Sequence, residues 1–396
     1  MPSDRPLFGT TNASVLLDAL RGLAALLVLL DHWRAAFFVD FPKVIQHRAS
    51  VGPLYVISGA GHQAVVIFFV LSGYLISGSI LRSIGRGEWS WRRYLVHRLV
   101  RLWLVLIPAL FLGGILDEAG LSIGHAPGLY AGMSGNHMTG NVIHALRPAV
   151  LLGNAAFLQT ILVPAFGSNG ALWSLANEWW YYILFPLAAC VLARVYRKPI
   201  EIASCLLAFV AFSVFVGKAI LILFPAWLLG VLLYVIPKAQ RPFNSHLMAV
   251  ASVFYGVLYF GCSVLSHLGH VGKLRVSEIA TDNLLAIGTF CFIWLLLSQT
   301  QRADESIGVR AARGTARFSY TLYVTHLPFL ILCASLIVHD SRWMPTLPHM
   351  LISSVVLAGA LAYAWFVAYA TEFRVDEVRS WVEARLGVGK KDPARA

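Results

Sequence analysis

The first apolar run of the chain, residues 16–38, constrains the fold most strongly. It is rich in Leu and Ala and lacks proline, so it is long enough for one transmembrane helix of roughly 20 residues. It nevertheless contains Asp18, Arg21, Asp31 and His32, groups that cost several kcal/mol in hydrocarbon unless partners or water satisfy them. Arg21 and His32 are eleven residues apart and therefore share one helix face, about 16 Å apart along the axis. This face predicts a helix turned toward a cavity, with His32 as its chemical centre.

The composition of the whole chain predicts a polytopic membrane protein. Of 396 residues, 58% are hydrophobic and only 13% are charged, whereas soluble domains are about a quarter charged. The net charge of +12 comes from Lys and Arg in short loops, which favours the lipid bilayer over nucleic acid as a partner. The five cysteines lie singly in apolar runs, so we expect neither a disulfide framework nor a metal site. The polar start predicts that the first span itself serves as the targeting signal.

Further apolar runs predict an all-α bundle of about ten transmembrane helices with both termini in the cytoplasm. After the first span, the predicted spans are residues 62–81, a run that reaches about residue 116, and residues 172–195, 202–216, 220–236, 247–268, 284–298, 320–338 and 350–370. Of the 31 Lys and Arg, 22 then lie in segments predicted to be cytoplasmic, 8 lie outside and Arg21 lies within a span, as the positive-inside rule favours. Residues 149–163 are too short and interrupted for a span and are expected to be re-entrant or interfacial. We expect one membrane domain, residues 1–371, and a short cytoplasmic tail, residues 372–396.

Two arginines mark the start of the third span. Arg98 and Arg101 are three residues apart and therefore face the same way on a helix. Basic residues at a helix end are ordinarily membrane anchors, and Arg82, Arg86, Arg92 and Arg93 are interpreted so. The spacing of Arg98 and Arg101 also forms a fork suited to the phosphates of a nucleotide-bearing cofactor.

Later spans contain further polar residues. Glu178 lies among tryptophans that are typical of a membrane interface, and it needs a cation, a proton or a substrate hydroxyl as its partner. Ser319, Tyr323 and His326 follow one another at i, i+4 and i+7 on one face of the ninth span. His32 is either a histidine bonded to a neighbouring helix carbonyl or a base that accepts a proton from a hydroxyl near neutral pH.

Taken in order, five stretches resemble the membrane-bound acyltransferase 3 family: LDALRGLAALLVLLDH, FFVLSGYLIS, RRYLVHRLVRL, LWSLANEWWYY and SYTLYVTHLP. Members of this family acylate bacterial surface glycans, lipids and some secondary metabolites. The resemblance covers residues 14–371 and implies an O-acyltransferase of the bacterial inner membrane. It implies transfer of an acyl group, expected to be acetyl, from acyl-CoA to a hydroxyl of a carbohydrate or glycolipid. One departure is Pro108, since family members often carry a proline closer to the second arginine.

The same resemblance implies roles for individual residues. His32 matches the catalytic histidine and Arg21 the arginine before it, with Asp31 or Glu178 expected to orient the imidazole. The residues implied at the acyl-CoA site are Arg98, Arg101, Ser72, Tyr323 and His326. His32 either deprotonates the acceptor or carries the acyl group transiently. Some relatives append an extracytoplasmic SGNH-type domain, so this chain is expected to act alone or with a separate extracytoplasmic acyl-accepting protein.

Two other classes of function stay open at this point. A carrier for a polar solute would use its buried His, Glu and Arg as a proton relay, although many carriers show internal repeats and none is visible here. A non-catalytic partner in an envelope complex would show neither acyl transfer nor solute transport. Consumption of acyl-CoA separates the enzyme from both, and uptake into proteoliposomes identifies the carrier.

Overall fold

The fold is built from helices throughout the part of the chain that the structure describes. The computed structural model describes residues 12–45, 48–133, 139–196, 198–239, 243–270, 277–299 and 306–387. Within these ranges no strand forms, and extended pairing is limited to two isolated bridges, Phe38 with Trp343 and Gln159 with Val163. The helices are α1 (Asn12–Phe37), α2 (Arg48–Ser58), α3 (Gly61–Gly85), α4 (Trp91–Ile123), α5 (Pro127–Ala131), α6 (Val142–Ala145), α7 (Pro148–Ala155), α8 (Trp173–Leu192), α9 (Pro199–Leu221), α10 (Phe224–Val235), α11 (Ser245–His270), α12 (Glu278–Leu297), α13 (Ile307–Arg317), α14 (Ser319–Ile337), α15 (Leu347–Ala370) and α16 (Val375–Leu386). Short 3₁₀ helices lie at Phe41–Lys43, Gly170–Leu172 and Glu372–Arg374.

The predicted all-α membrane bundle is confirmed. Within the described ranges, nine helical segments are long and apolar enough to cross a membrane, and α10 is a shorter apolar helix beside them. The predicted boundaries move outward, since α12 begins at Glu278 instead of residue 284 and α4 continues to Ile123. Helices α2 and α13 form in segments predicted as loops, and α16 forms in the predicted tail.

Helix α3 lies at the centre of the bundle, in contact with α1, α8, α10, α11 and α12. Its close approach to α10 depends on two glycines. A Cβ at Gly73 would overlap the carbonyl of Trp227, and a Cβ at Gly230 would overlap the carbonyl of Val70. With twelve residues, α10 is only about 18 Å long, which is shorter than a hydrocarbon core of about 30 Å. The missing length is tolerable because α10 packs on α3 instead of standing alone in lipid.

Side-chain contacts fix which helix ends lie together. Arg21 of α1 donates to the carbonyl of Ala316, at the end of α13, over 2.8 Å, and Trp33 near the other end of α1 donates to Ser353 of α15. Helices α1 and α14 are therefore parallel, and α15 runs in the opposite direction. We call the end where α1, α4 and α14 start the basic end, after Arg21, Arg98 and Arg101. We call the opposite end, where α3, α8 and α12 start, the acidic end, after Asp31, Glu278 and Asp282. That the basic end faces the cytoplasm stays a prediction of the positive-inside rule.

Residues 149–163 enter the bundle and return without crossing it. Helix α7 has only eight residues, and the chain then turns at residues 155–157. The indole of Trp103 donates to the carbonyl of Ala155 at 2.9 Å, and that of Trp180 donates to Phe157 at 3.0 Å. Trp180 lies roughly 10 Å inside α8. The turn thus has the geometry of a re-entrant segment, whose non-helical backbone needs donors from the protein.

Candidate active site

The polar face of α1 meets α14 at a pair of histidines. Nδ1 of His32 and Nε2 of His326 are 2.6 Å apart, and their rings are inclined by 12° with centroids 4.9 Å apart. Nδ1 of His326 lies 2.7 Å from the carbonyl of Leu322, one turn earlier in α14. His326 is fully buried, whereas His32 is partly exposed. The two rings form one hydrogen-bonded chain from α14 to α1.

The direction of this chain follows from its fixed end. A carbonyl only accepts, so Nδ1 of His326 carries the proton, and Nε2 of the neutral ring is the acceptor. His32 must then donate through Nδ1–H, which leaves a lone pair on its Nε2. Among the described residues no group hydrogen-bonds that nitrogen. Nε2 of His32 is therefore available as a base, and His326 fixes the tautomer and orientation of the ring.

His326 hydrogen-bonds Nδ1 of His32, where the sequence predicted the carboxylate of Asp31 or Glu178. Oδ1 of Asp31 accepts from Arg34, one turn later, at 3.0 Å. The Asp31 carboxylate lies against Gly61 at the start of α3, and Glu178 has other partners. The expectation that Asp31 or Glu178 orients the imidazole is therefore corrected, because local pairing with Arg34 already satisfies Asp31.

Glu178 lies where α3, α8 and α10 meet. Its Oε1 accepts from the hydroxyl of Ser72 at 3.0 Å and from the hydroxyl of Tyr182, one turn later in α8. Ser72 in turn accepts from the indole of Trp227 at 3.2 Å. The guanidinium of Arg98 lies over the ring of Tyr182, 5.9 Å from its centroid. Tyr182 thus contacts both Arg98 and Glu178. Hydroxyl groups of the protein supply the hydrogen-bond donors for the Glu178 carboxylate.

Three arginines lie at the basic end. Arg21 donates to the Ala316 carbonyl and lies 3.6 Å from Asp18, while Arg98 is partly buried and Arg101 is exposed. Arg101 is within Coulombic range of Arg21. The Nε atoms of Arg21 and Arg98 are buried without a partner among the described residues. Several guanidinium groups with spare donors at one place fit an anionic group such as a phosphate.

Tyr323 forms the wall beside the histidine pair. Its hydroxyl donates to the carbonyl of Ala171 at 2.9 Å and lies 2.6 Å from the hydroxyl of Ser174. Its ring centroid lies 6.3 Å from that of His326 and 6.0 Å from that of Phe68. Tyr323 therefore holds α14 against α8 and α3, close to His32 and away from the arginines.

Partly exposed side chains of α3 face the interior of the bundle between the basic end and His32. Helices surround α3, yet Phe68, Ser72 and Leu75 remain partly exposed at i, i+4 and i+7. Since Phe68 and Ser72 contact α14 and α8, this stripe faces the interior and not lipid. Glu178 and His32 are partly exposed on the helices opposite. Ser72 and Glu178 thus lie between the basic end and His32.

Comparison with known proteins decides the class of this site. The sequence model of the acyltransferase 3 family, described as an acyltransferase domain, matches residues 15–369. The chain belongs to this family. A curated relative, the O-acetyl transferase of Shigella phage Sf6, is 24% identical over 359 residues, which cover 88% of this chain and 92% of that protein. No solved structure matches the chain. The family predicted from the five stretches is confirmed, and the protein is a multi-pass membrane O-acyltransferase.

The structure divides the predicted site residues into three groups. One group surrounds the proposed base: His32, His326 and Tyr323. A second extends toward the basic end: Ser72, Glu178, Arg98, Arg101 and Arg21. Asp31 lies apart from both, at the acidic end. Sequence reasoning missed Tyr182, Trp227 and Ser174, of which Tyr182 and Ser174 lie four residues from Glu178 on the same helix, a spacing that was available as a signal.

Proposed function

We propose that this protein transfers an acetyl group from acetyl-CoA to a hydroxyl of a surface or lipid-linked glycan in the bacterial cytoplasmic membrane. Membership of the acyltransferase family supports acyl transfer, and the name of the phage relative supports acetyl as the group and oxygen as its acceptor. The observation that carries the proposal is the free Nε2 of His32, which His326 holds in place.

The reaction uses His32 as a general base. Nε2 removes the proton of the acceptor hydroxyl while the hydroxyl oxygen attacks the thioester carbonyl carbon. A C–O bond forms and the C–S bond breaks, and the departing CoA thiolate takes the proton from His32. His326 is a positioning residue, since it accepts from Nδ1–H before and after His32 is protonated. The same tautomer also permits attack by Nε2 itself, which would give a transient acyl-histidine.

Acetyl-CoA enters from the basic end. Arg98 and Arg101 contact the phosphates of acetyl-CoA. Arg21 offsets negative charge on the part of the molecule that lies between these phosphates and the thioester. The separation of about 16 Å between Arg21 and His32 along α1 is comparable with the length of an extended pantetheine arm. Ser72 and Glu178 lie between these points and offer hydrogen-bond partners to the arm's amides.

The test uses purified protein in lipid nanodiscs with radiolabelled acetyl-CoA and a lipid-linked glycan fraction from bacterial membranes. We expect release of the CoA thiol to depend on the glycan and the glycan to gain the mass of one acetyl unit. Label on a protein instead would identify a separate acyl-accepting partner. Proton-driven solute uptake by proteoliposomes without any consumption of acetyl-CoA would contradict the proposal and favour the carrier.

Comparison of envelope glycans from wild-type and deletion strains by mass spectrometry identifies the acceptor in the cell. Loss of one acetyl unit from a glycan in the deletion strain is the expected result. Identical glycans in the two strains would argue against a glycan acceptor while leaving the O-acyltransferase class intact.

A further inference from the structure

A buried carboxylate lies in the last two turns of α4, outside the site described above. Asp117 is 1% exposed, and its Oδ2 accepts from the backbone N–H of Ser168 at 2.7 Å. Its Oδ1 is buried without a hydrogen-bond partner among the described residues. No ion pair in the described part of the chain includes Asp117, and Glu118, which acts on it by its charge, is another acid. A buried carboxylate needs a counter-charge, and the described side chains supply none.

The backbone fits closely around this carboxylate. Gly167 is in the left-handed region, with φ +60°, and a Cβ at this position would overlap Oδ2 of Asp117. Only glycine therefore lets the chain approach so closely that the N–H of Ser168 reaches the carboxylate. One carboxylate oxygen is bound by the backbone in this way, and the other is left for a different partner.

Neutral oxygens lie around the same carboxylate. The hydroxyls of Tyr130 and Ser168 are buried, and neither makes a hydrogen bond of normal geometry with the described residues. The hydroxyl of Tyr130 lies against Gly120, one turn after Asp117 in α4, and the hydroxyl of Ser168 lies beside the carboxylate. The hydroxyl of Ser335 lies beside that of Tyr130 and donates to a carbonyl of its own helix, so its lone pairs are available. Four side chains from separate parts of the chain thus bring oxygens to one buried place.

The chemistry of these oxygens selects the class of ligand. Carboxylate and hydroxyl oxygens suit hard cations. In the part of the chain that the structure describes, no set of three His, Cys, Asp or Glu is arranged to hold a metal, which argues against a transition metal. A divalent cation beside a single carboxylate would leave one positive charge buried, whereas a monovalent cation leaves none.

We propose that Asp117, Ser168, Tyr130 and Ser335 form a site for a monovalent alkali cation. The exposed carboxylate of Glu118, the next residue, adds negative charge that attracts the cation from solution. This is an oxygen site, which the spacing of the cysteines does not address. Cation binding here does not depend on the proposed acetyl transfer.

The loop that contains Ser168 also reaches the histidine pair. Asn169 donates through its amide to the carbonyl of Val324 at 2.8 Å, and the carbonyl of Ala171 accepts from the hydroxyl of Tyr323 at 2.9 Å. Tyr323 in turn contacts His326. A cation that fastens this loop to α4 therefore stabilises the wall beside the candidate active site.

The experiment follows thermal unfolding of the full-length protein in nanodiscs by tryptophan fluorescence, in NaCl, KCl or choline chloride at one ionic strength. The Tm of wild type should rise with the sodium or potassium concentration and then level off, because the cation binds only the folded state. Asp117→Asn needs no counter-charge, so its Tm should be the same in all three salts. Tyr130→Phe keeps the ring and loses one oxygen, so the half-saturating cation concentration should rise roughly ten-fold. Asp376→Asn, at an exposed position of α16, is the matched control and should respond as wild type does.

The outcomes either support the site or overturn it. Equal Tm values of wild type in the three salts overturn it, and stabilisation by acid of wild type but not of Asp117→Asn would then identify a proton as the counter-charge. An Asp117→Asn protein that keeps the salt response places the cation elsewhere and also overturns the site. Where the asparagine variant does not fold, Tyr130→Phe decides, because an unchanged half-saturating concentration overturns the proposal.

Discussion

The two ends of the bundle present opposite chemistry to one histidine. At the basic end, guanidinium groups of Arg21 and Arg98 keep buried Nε donors without partners among the described residues. At the acidic end, the nearly buried carboxylate of Asp282 bonds the imidazole of His62, which stacks on the indole of Trp173. Spare donors recognise phosphates, whereas acceptors and an aromatic face recognise hydroxyls. The two ends of one bundle therefore offer different hydrogen-bonding groups.

The centre differs from both ends because its two bonded groups are both imidazoles. His32 contacts His326 and not a carboxylate, so its Nδ1–H is held by an uncharged acceptor. Substitutions should have effects that decrease in the order of the centre, the basic end, the positioning contact and a contact outside the membrane.

Loss of the base should have the largest effect. His32→Gln keeps the size of the side chain and some hydrogen bonding but cannot act as a base, so we expect turnover to fall by about 100- to 10,000-fold. The measurement is acetylated glycan per unit of protein, with binding of acetyl-CoA as the check of folding. Retention of more than a tenth of wild-type turnover would assign His32 a structural role and favour His326 with Tyr323.

Loss of the basic end should affect the donor and not the acceptor. The double variant Arg98→Ala, Arg101→Ala removes charge-assisted contacts worth roughly 1.5 to 3 kcal/mol each, so the Kd for CoA should rise at least ten-fold. Arg93→Ala, at the exposed start of the same helix, is the matched control. Titration calorimetry that gives one CoA affinity for all three proteins would reduce the pair to membrane anchors.

The positioning contact should have an intermediate effect. His326→Gln places an amide oxygen within reach of Nδ1–H of His32, whereas His326→Leu leaves that donor buried without an acceptor. We expect the leucine variant to lose roughly ten-fold more turnover than the glutamine variant, with the KM for both substrates unchanged. Equal rates in the two variants would show that His326 fills space only.

The smallest effect is expected outside the membrane, where the guanidinium of Arg342 binds both carboxylate oxygens of Asp40 at 2.8 and 3.0 Å. Burial opposes ionisation of Asp40, but the hydrogen bonds and charge of Arg342 prevail, so the pKa of this carboxyl is lowered. Its contribution is present above the unfolded pKa of about 3.9 and is lost as pH falls through the folded pKa. Since Asp40 is half-exposed, Asp40→Asn should destabilise by less than about 1 kcal/mol at pH 7.

Thermal unfolding of wild type and Asp40→Asn at pH 7 and at a pH below the folded pKa of Asp40 tests this linkage. The two proteins should differ at pH 7 and converge in acid, because both then carry an uncharged side chain at this position. A difference of equal size at both pH values would mean that the asparagine disturbs packing and that the charge of Asp40 contributes nothing.

Helical periodicity made the centre predictable from the sequence. The eleven residues between Arg21 and His32, and the i, i+7 spacing of Ser319 and His326, are local patterns that survive in the structure. The same reasoning could not find the hydrogen bond between the histidines, since their side chains are 294 residues apart in the chain. The sequence favoured Asp31 as the partner of the adjacent His32. In the structure its carboxylate pairs instead with Arg34, one helical turn later.

The acidic end was missed for a different reason. Asp282 lowers the hydropathy of its segment, so the predicted span began at residue 284 and left Asp282 in a loop. In the structure Asp282 is nearly buried, because His62, 220 residues earlier, satisfies it. Hydropathy measures the cost of a lone charge, and only the fold shows whether a distant partner removes that cost.

The central claim is that Nε2 of His32 is unprotonated and free while Nδ1 donates to His326. Nitrogen-15 NMR of histidine-labelled protein at neutral pH, with His32→Gln to assign the signals, tests it directly. We predict that the ring proton of His32 is on Nδ1 and shows coupling across the hydrogen bond to Nε2 of His326. A ring proton on Nε2 of His32 would contradict the account, because that nitrogen would then have no lone pair for the acceptor proton.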